Sequence, residues 1–274
     1  MPVSVSVLMS VYNGERFVRD AVLSILNQTF RDFEFLVIDD ASTDATPRIL
    51  SELAFQDARI RVITNASNLG LTKSLNLALR QAQGDLIARM DADDIALPTR
   101  LEKQISYLNA HHEIGVVGTA YEWIDEAAKP TGRPVPVTDS NELKHALPRT
   151  NPLFHGSTLI KYDLLKKVGG YDEGYPRAQD YDLWLRLMPH TLFANLPEVL
   201  MQKRLLPGMI SYQSERTQLR CAVRARRAAL KRGDIPWWTA IHLVKPFVAS
   251  LLPRRVVRWT RIHLFGQRQY EHLR

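Results

Sequence analysis

Three carboxylates stand within four residues at Asp91, Asp93 and Asp94, directly after the apolar run Leu86-Ile87-Ala88-Arg89-Met90. Like charges that close repel unless a cation or a set of donors sits between them. In an extended segment Asp91 and Asp93 project to one side and Asp94 to the other. Hard oxygen ligands of this kind suit Mg²⁺ or Mn²⁺, ions that commonly bridge to the phosphates of a substrate. The competing reading is a polar turn with a helix cap, where aspartate is common. Arg89, the one charge in an apolar strand, is expected to pair with one of these aspartates. A second acidic pair, Asp39-Asp40, closes the run Phe33-Glu34-Phe35-Leu36-Val37-Ile38.

The elements that position these groups follow from periodicity. Val3 to Met9 and Phe33 to Ile38 read as strands, rich in β-branched and aromatic residues. Between them Phe17, Val18, Ala21, Val22, Ile25 and Leu26 recur at helical spacing, so Phe17 to Asn27 reads as a helix. Strand, helix, strand predicts a crossover unit with parallel strands, whose ligands bind beyond the carboxyl ends of the strands. Both acidic clusters fall at that edge. Thr72 to Gln81 reads as a further helix, entered through a loop in which Asn68 and Lys73 flank Gly70. Such an N-terminus with a lysine suits a phosphate, and equally suits an ordinary solvated lysine.

The motifs occur in an order that resembles family 2 glycosyltransferases. Ser4-Val5-Ser6-Val7-Leu8-Met9-Ser10-Val11-Tyr12-Asn13 and Ser24 to Phe30 resemble the opening of that family. Val37-Ile38-Asp39-Asp40-Ala41-Ser42-Thr43-Asp44 and Asn68-Leu69-Gly70-Leu71 follow, and Gly84 to Asp94 looks like its Asp-x-Asp motif. Gly169-Gly170-Tyr171-Asp172 and Gln179-Asp180-Tyr181-Asp182-Leu183-Trp184 look like its downstream catalytic segment. The match spans roughly residues 3 to 212.

The resemblance implies an α/β domain of GT-A type, a nucleotide-binding sandwich with a mostly parallel central sheet, acting on a nucleoside-diphosphate sugar with inversion at the anomeric carbon. Residues 1–212 would form the catalytic domain, 1–100 its nucleotide-sugar half and 101–212 its acceptor half, with 213–274 a basic, amphipathic helical extension. The resemblance implies that Val11, Tyr12, Asn13, Asp40, Asn68, Lys73 and Asp91 hold the nucleotide sugar. Tyr12 and Asp40 would meet the base, and Asp91 the ribose. Asp93 would hold Mn²⁺ or Mg²⁺, and Asp180 would be the general base. An acid at position 40 accepts from the N3–H of uracil or thymine, which favours UDP or dTDP donors.

Asp180 shares a helical stripe with Leu183, Trp184, Leu187 and Met188, on the apolar side, where burial raises a carboxylate's pKa and makes it a better base. A plain helix cap is the alternative. Asp182 falls off that stripe and is expected to face solvent. His155, in Asn151-Pro152-Leu153-Phe154-His155-Gly156-Ser157, stands where the family often has a histidine near the acceptor, although a lone histidine is commonly structural. Gln179 is assigned to the same acceptor or leaving-group side. Family members often carry a Tyr-Arg-x-His segment after the catalytic helix; here Leu206 takes the histidine's place. Arg204 or Lys203 is then expected to carry leaving-group charge.

Composition points to a folded enzyme: 274 residues, 45% of them hydrophobic, can build a substantial core. Cys221 stands alone, which excludes a disulfide framework and a cysteine zinc site. No Gly-x-Gly occurs, which argues against a dinucleotide-dependent oxidoreductase. Neither a secretory signal nor an apolar run of about 18 residues is found, so a cytoplasmic location is expected.

Charge divides sharply. Residues 1–199 hold 20 Lys+Arg against 26 Asp+Glu (−6), and residues 200–274 hold 16 against 3 (+13), giving the overall +7. Trp237, Trp238 and Trp259 lie among the basic segments of this tail, and 236–252 is apolar enough for a membrane interface. The expectation is peripheral attachment to an anionic membrane at the inner face of the plasma membrane, near a glycan or lipid-linked acceptor. A helical hairpin packed on the catalytic domain is the alternative, and nucleic acid is not expected. The function expected is glycosyl transfer of hexosyltransferase type in surface polysaccharide or lipid-linked glycan assembly. A nucleotidyltransferase and a non-catalytic nucleotide-sugar-binding domain are the alternatives.

Overall fold

A computed structural model of the chain describes residues 4–205 and 215–244. Alternation gives β1 (Val5–Val11) two apolar faces: Val5, Val7 and Met9 enter one layer and Leu8 the other. It pairs in parallel with β2 (Phe33–Asp39) and β4 (Leu86–Arg89), and β2 pairs in parallel with β3 (Ile60–Thr64). The connections are α1 (Val18–Leu26), α2 (Thr46–Gln56) and α3 (Leu71–Gln81), within a residue of the periodicity for α1 and α3.

The second half adds β5 (Ile95–Ala96), α4 (Arg100–Ala110), β6 (Ile114–Ile124), β7 (Pro130–Gly132), α5 (Ser140–Ala146), β8 (Leu159–Lys161), α6 (Tyr162–Val168), α7 (Gln179–Leu187) and β9 (Leu192–Arg204). Helix α8 (Glu215–Arg232) and a 3-10 stretch, Trp237–Leu243, follow. Along the sheet the order is β3-β2-β1-β4-β8-β6-β9-β5, with β7 beside β6. Strand β8 runs antiparallel to β4 and β6, while β6 and β9 run parallel over most of their length. Most of the paired length is therefore parallel.

Two apolar layers sandwich the sheet. One gathers Val18, Ile25, Leu50, Leu53 and Leu101 from α1, α2 and α4; the other gathers Leu75, Leu79, Leu147, Leu165, Trp184 and Leu187 from α3 and α5–α7. A third cluster joins Tyr181 and Leu185 of α7 to Cys221, Ala225 and Ala229 of α8. Each large side chain so buried contributes about 2 kcal/mol.

The strand directions converge on one edge. The ends of β1, β2, β4 and β9 and the start of β8 all lie there, because β8 enters antiparallel and β6 and β9 reverse again. One local expectation fails: Asp91 to Asp94 is not extended. Strand β4 stops at Arg89 and Ala92-Asp93 forms a turn before β5, so side-chain alternation does not sort these acids.

Candidate active site

At the end of β1 the segment Val11-Tyr12-Asn13 is locked to the loop after β2. Asp40 N–H donates to the Val11 carbonyl, Asn13 N–H to Ser42 Oγ at 2.9 Å, and Thr43 N–H to Asn13 Oδ1 at 2.8 Å. Asn13 and Ala41 both take left-handed backbone conformations, at φ 52° and 63°. This lock leaves Tyr12 half exposed, its ring open on the sheet edge.

Asp40 has a different place from the one its type suggests. It is 2% exposed, and its Oδ1 accepts from Asn65 Nδ2 (2.7 Å) and Leu69 N–H (2.8 Å) while Oδ2 accepts from Gly70 N–H (2.8 Å). Three of the carboxylate's four acceptor positions tie Asn65 and the Leu69-Gly70 turn at the entry to α3. Asn68 and Lys73 are exposed on that loop and on the first turn of α3.

The acidic turn is embedded in cations. Arg89 Nη2 donates to Asp91 Oδ1 at 2.6 Å, the pairing its place in an apolar strand required. Burial is the largest influence on Asp91 and pushes it up, but the Arg89 charge and hydrogen bond, together with His155 and Lys203, outweigh it and hold the carboxyl below its usual range. Beneath lies Arg100, fully buried, with Nη2 donating to the Arg89 carbonyl at 2.7 Å; burial, then Arg89, lowers it to about 9. Asp93 forms no ion pair among the described residues, and burial followed by the Asp91 charge raises it to about 6. Asp94 is buried, its Oδ1 accepting from Arg204 N–H at 2.9 Å, and burial with the charges of Asp93 and Asp91 pushes it far up.

Arg204 latches the end of β9 to the acidic turn. It is 1% exposed; Nε donates to the Asp93 carbonyl (3.0 Å) and Nη1 to the carbonyls of Asp125 (2.8 Å) and Glu126 (2.7 Å), with its guanidinium 4.4 Å from the Phe17 ring centre. These contacts use Nε and Nη1 of Arg204 within the fold. Lys203, its neighbour on β9, sits 4.7 Å over the Phe154 ring and 6.0 Å from that of Tyr121. Leu206 lies outside the described residues.

His155 caps the opposite wall. It is buried in a one-turn 3-10 helix before β8, Nε2 2.8 Å from the Tyr171 hydroxyl, and edge-on to Trp184. Burial, then Arg89, lowers its pKa to about 3, so the ring is neutral and offers no cation. Tyr171 is held by α3, where Asn76 Nδ2 donates to its carbonyl and Oδ1 accepts its N–H. That grip needs Gly170, since a Cβ there would lie 2.9 Å from Asn76 Oδ1. Gly156 is equally bound: a Cβ would lie 2.7 Å from Asp91 Oδ2 and 2.8 Å from the Phe154 ring. Sequence reasoning passed over Gly156 and Asn151, although both lie in the segment quoted around His155.

Asp180 opens α7. Its predecessor Ala178 is left-handed at φ 55°, which turns the chain into the helix, and Gln179 is buried beside it. Asn151 Nδ2 donates to Asp180 Oδ2 at 2.7 Å. Burial raises the Asp180 pKa, opposed by donation from backbone N–H and from Asn151. Asp182 does not face solvent. It is 1% exposed and accepts from Arg186 Nε at 2.8 Å, because α6 and α8 cover faces of α7 that an isolated amphipathic helix would leave open.

The profile of Glycosyl transferase family 2 matches residues 6–169, and the chain belongs to that family. It is a glycosyltransferase. EpsE of Bacillus subtilis, itself named as a glycosyltransferase, is 32% identical over 271 residues, covering 97% of this chain and 96% of its own. The amylovoran biosynthesis glycosyltransferase AmsE of Erwinia amylovora is 30% identical over 260 residues, covering 93% and 96%. The fold is GT-A: the mannosyltransferase PcManGT from Pyrobaculum calidifontis, solved in complex with GDP-Man and Mn²⁺, superposes with a TM-score of 0.68 at 20% identity, covering 99% of this chain and 82% of that one. Asp180 and Lys203 lie beyond the profile match.

Proposed function

We propose that the chain moves a sugar from a nucleoside-diphosphate sugar to an acceptor hydroxyl, with inversion, in the assembly of a polysaccharide or lipid-linked glycan. The observation that carries this is Asp180: a carboxylate with a raised pKa, oriented by Asn151 and placed by a strained turn near the acidic rim. As the acceptor oxygen bonds to the anomeric carbon, its proton passes to Asp180. The bond from that carbon to the phosphate oxygen breaks, and its electron pair leaves with the diphosphate. One displacement with one base inverts the centre. AmsE, named for amylovoran biosynthesis, supports the product class.

The residues fit a divalent cation in one particular way. Among the described residues no group of three His, Cys, Asp or Glu side chains forms a protein cage. Asp93 is an unpaired, charge-strained carboxylate at the rim, so it would hold Mn²⁺ or Mg²⁺ jointly with donor phosphates. When bound, the ion supplies positive charge to the departing diphosphate. A uracil or thymine base would meet the one acceptor position that Asp40 keeps on Oδ2, which favours UDP or dTDP, and a thermal-shift screen of UDP, dTDP, GDP and CMP with and without Mn²⁺ names the base. A metal-dependent shift with one diphosphate, lost in Asp93→Ala, is the expected result; no shift with any sinks the donor reading.

We also propose that the extension meets an anionic membrane. Arg220, Arg224, Arg227 and Lys231 lie on one exposed stripe of α8, opposite its buried face. Beside it Trp237, Trp238, Ile241 and Val244 are 83%, 49%, 70% and 60% exposed. Basic charge with exposed tryptophan suits a lipid headgroup layer. Residues 245–274, including Trp259, lie outside the described residues, and among those described no helix is long and apolar enough to cross a membrane. Flotation with anionic liposomes is the test; protein left in the soluble fraction at low salt defeats this proposal.

A further inference from the structure

Among the described residues, Lys203 is the one cation at the acidic rim for which no hydrogen bond to the protein is seen. Arg89, Arg100 and Arg204 donate to named carboxylate or carbonyl oxygens. The Lys203 ammonium has no hydrogen bond and no ion pair among the described residues; instead it is held against Phe154 at 4.7 Å and near Tyr121 at 6.0 Å, two rings packed 4.6 Å apart. The rings fix its direction without consuming its three N–H donors. Its neighbour Arg204 is bonded to Asp93 and Asp94, and the Lys203 charge is among the influences that lower Asp91, Asp93, Asp94 and Asp180, so it lies within electrostatic reach of the acidic turn and the start of α7. Burial disfavours that charge, yet Tyr121 and the three aspartates of the turn outweigh burial and keep it protonated.

A charged ammonium held by two rings, with its donors unspent on the neighbouring carboxylates, is placed to meet an anion on its open side. Its position is set independently of any ligand: the adjacent Arg204 latches the end of β9 to the turn of Asp93 and Asp94 through its own N–H and guanidinium. Resting on the donor reading above, we propose that Lys203 binds the diphosphate of the nucleotide sugar and shares the leaving-group charge with the divalent cation. When the bond from the anomeric carbon to the distal phosphate oxygen breaks, the electron pair settles on that oxygen. The ammonium donates a hydrogen bond to the diphosphate and retains its proton.

The test is titration calorimetry on the full chain with UDP and GDP, and with uridine and guanosine, in EDTA and in Mn²⁺. In EDTA the wild type binds a diphosphate, and Lys203→Met weakens it at least tenfold while leaving the matching nucleoside unchanged. In Mn²⁺ the loss shrinks to a few-fold, and Lys203→Arg retains most of the affinity in both. Equal weakening of diphosphate and nucleoside assigns Lys203 to packing and overturns the proposal, as does unchanged diphosphate binding in Lys203→Met. A wild type that binds a diphosphate only with Mn²⁺ overturns it while sparing the donor reading. A wild type that binds neither UDP nor GDP in any condition removes the donor reading and this proposal together. Lys203→Gln serves as the second neutral variant should Lys203→Met fold poorly.

Discussion

Asp180 and Asp93 are both carboxylates raised by burial, but their charges do opposite things. Asp180 must lose its proton to act, so kcat/KM is expected to fall as pH drops through a value above the ordinary aspartate range. Asn151 lowers that value by donating to the ionised form, so Asn151→Ala moves the acid limb toward higher pH, read from the pH–rate profile. Asp180→Asn should cut transfer by about 10³-fold while nucleotide affinity, measured by titration, stays within about twofold. Asp93 in the metal-free fold titrates near 6 against 3.8 for a free aspartate, so the fold prefers its protonated form. Ionised Asp93 therefore costs stability above pH 6, and that cost is absent below about 4. Asp93→Asn is expected to stabilise metal-free protein at neutral pH, by at most about 3 kcal/mol and less with screening, read as a higher thermal midpoint, and to change nothing in acid. At this scale the sequence disclosed the Arg89–Asp91 pair, since a charge in an apolar strand needs a partner. It hid Asp182 and Arg204, whose partners are brought by elements distant in the chain.

Between residues and fold stand the strand ends. Periodicity located β1, β2, α1 and α3 because each buries a regular face, and the acids after β2 and β4 then had to share an edge. The reading of Asp91 to Asp94 as extended failed because the strand signal stops at Arg89, where Arg100 and Thr158 take over the backbone. Strand β9 carried no chemical signal beyond its basic pair, yet it closes the site. Arg204→Met removes three part-buried hydrogen bonds to backbone carbonyls and should cost about 3 kcal/mol by chemical denaturation. Gly156→Ala drives a methyl group onto Asp91 and Phe154, and is expected to weaken nucleoside-diphosphate binding more than it lowers stability.

The molecule as a whole joins a mildly acidic catalytic sandwich to a basic extension, and the described part of that extension is part of the fold. Arg226 donates through Nε to the Tyr181 hydroxyl at 2.7 Å and through Nη1 to the His242 carbonyl at 3.0 Å, and also bonds the Arg149 carbonyl. Ala225 and Ala229 press against α7 beneath. The packed face and the exposed basic stripe are thus opposite faces of α8, so packing on the catalytic domain and the proposed membrane contact, which the sequence posed as alternatives, do not compete for the same surface. Ala225→Glu should bury an unpaired charge, lower the thermal midpoint and impair transfer through α7, the helix that carries Asp180. Composition displayed the charge division plainly; it could not display which face of α8 was already taken.

The sheet order also sets a timetable. Strand β5, next after the acidic turn in the chain, pairs only with β9, whose residues are made more than a hundred positions later. A nascent chain can assemble β1 to β4 early, but the acidic turn is pinned only when β9 arrives with Lys203 and Arg204. Asp180 precedes β9 and waits with it. During synthesis, then, the acidic turn, the start of α7 and the end of β9 can come together only after most of the described chain has been made.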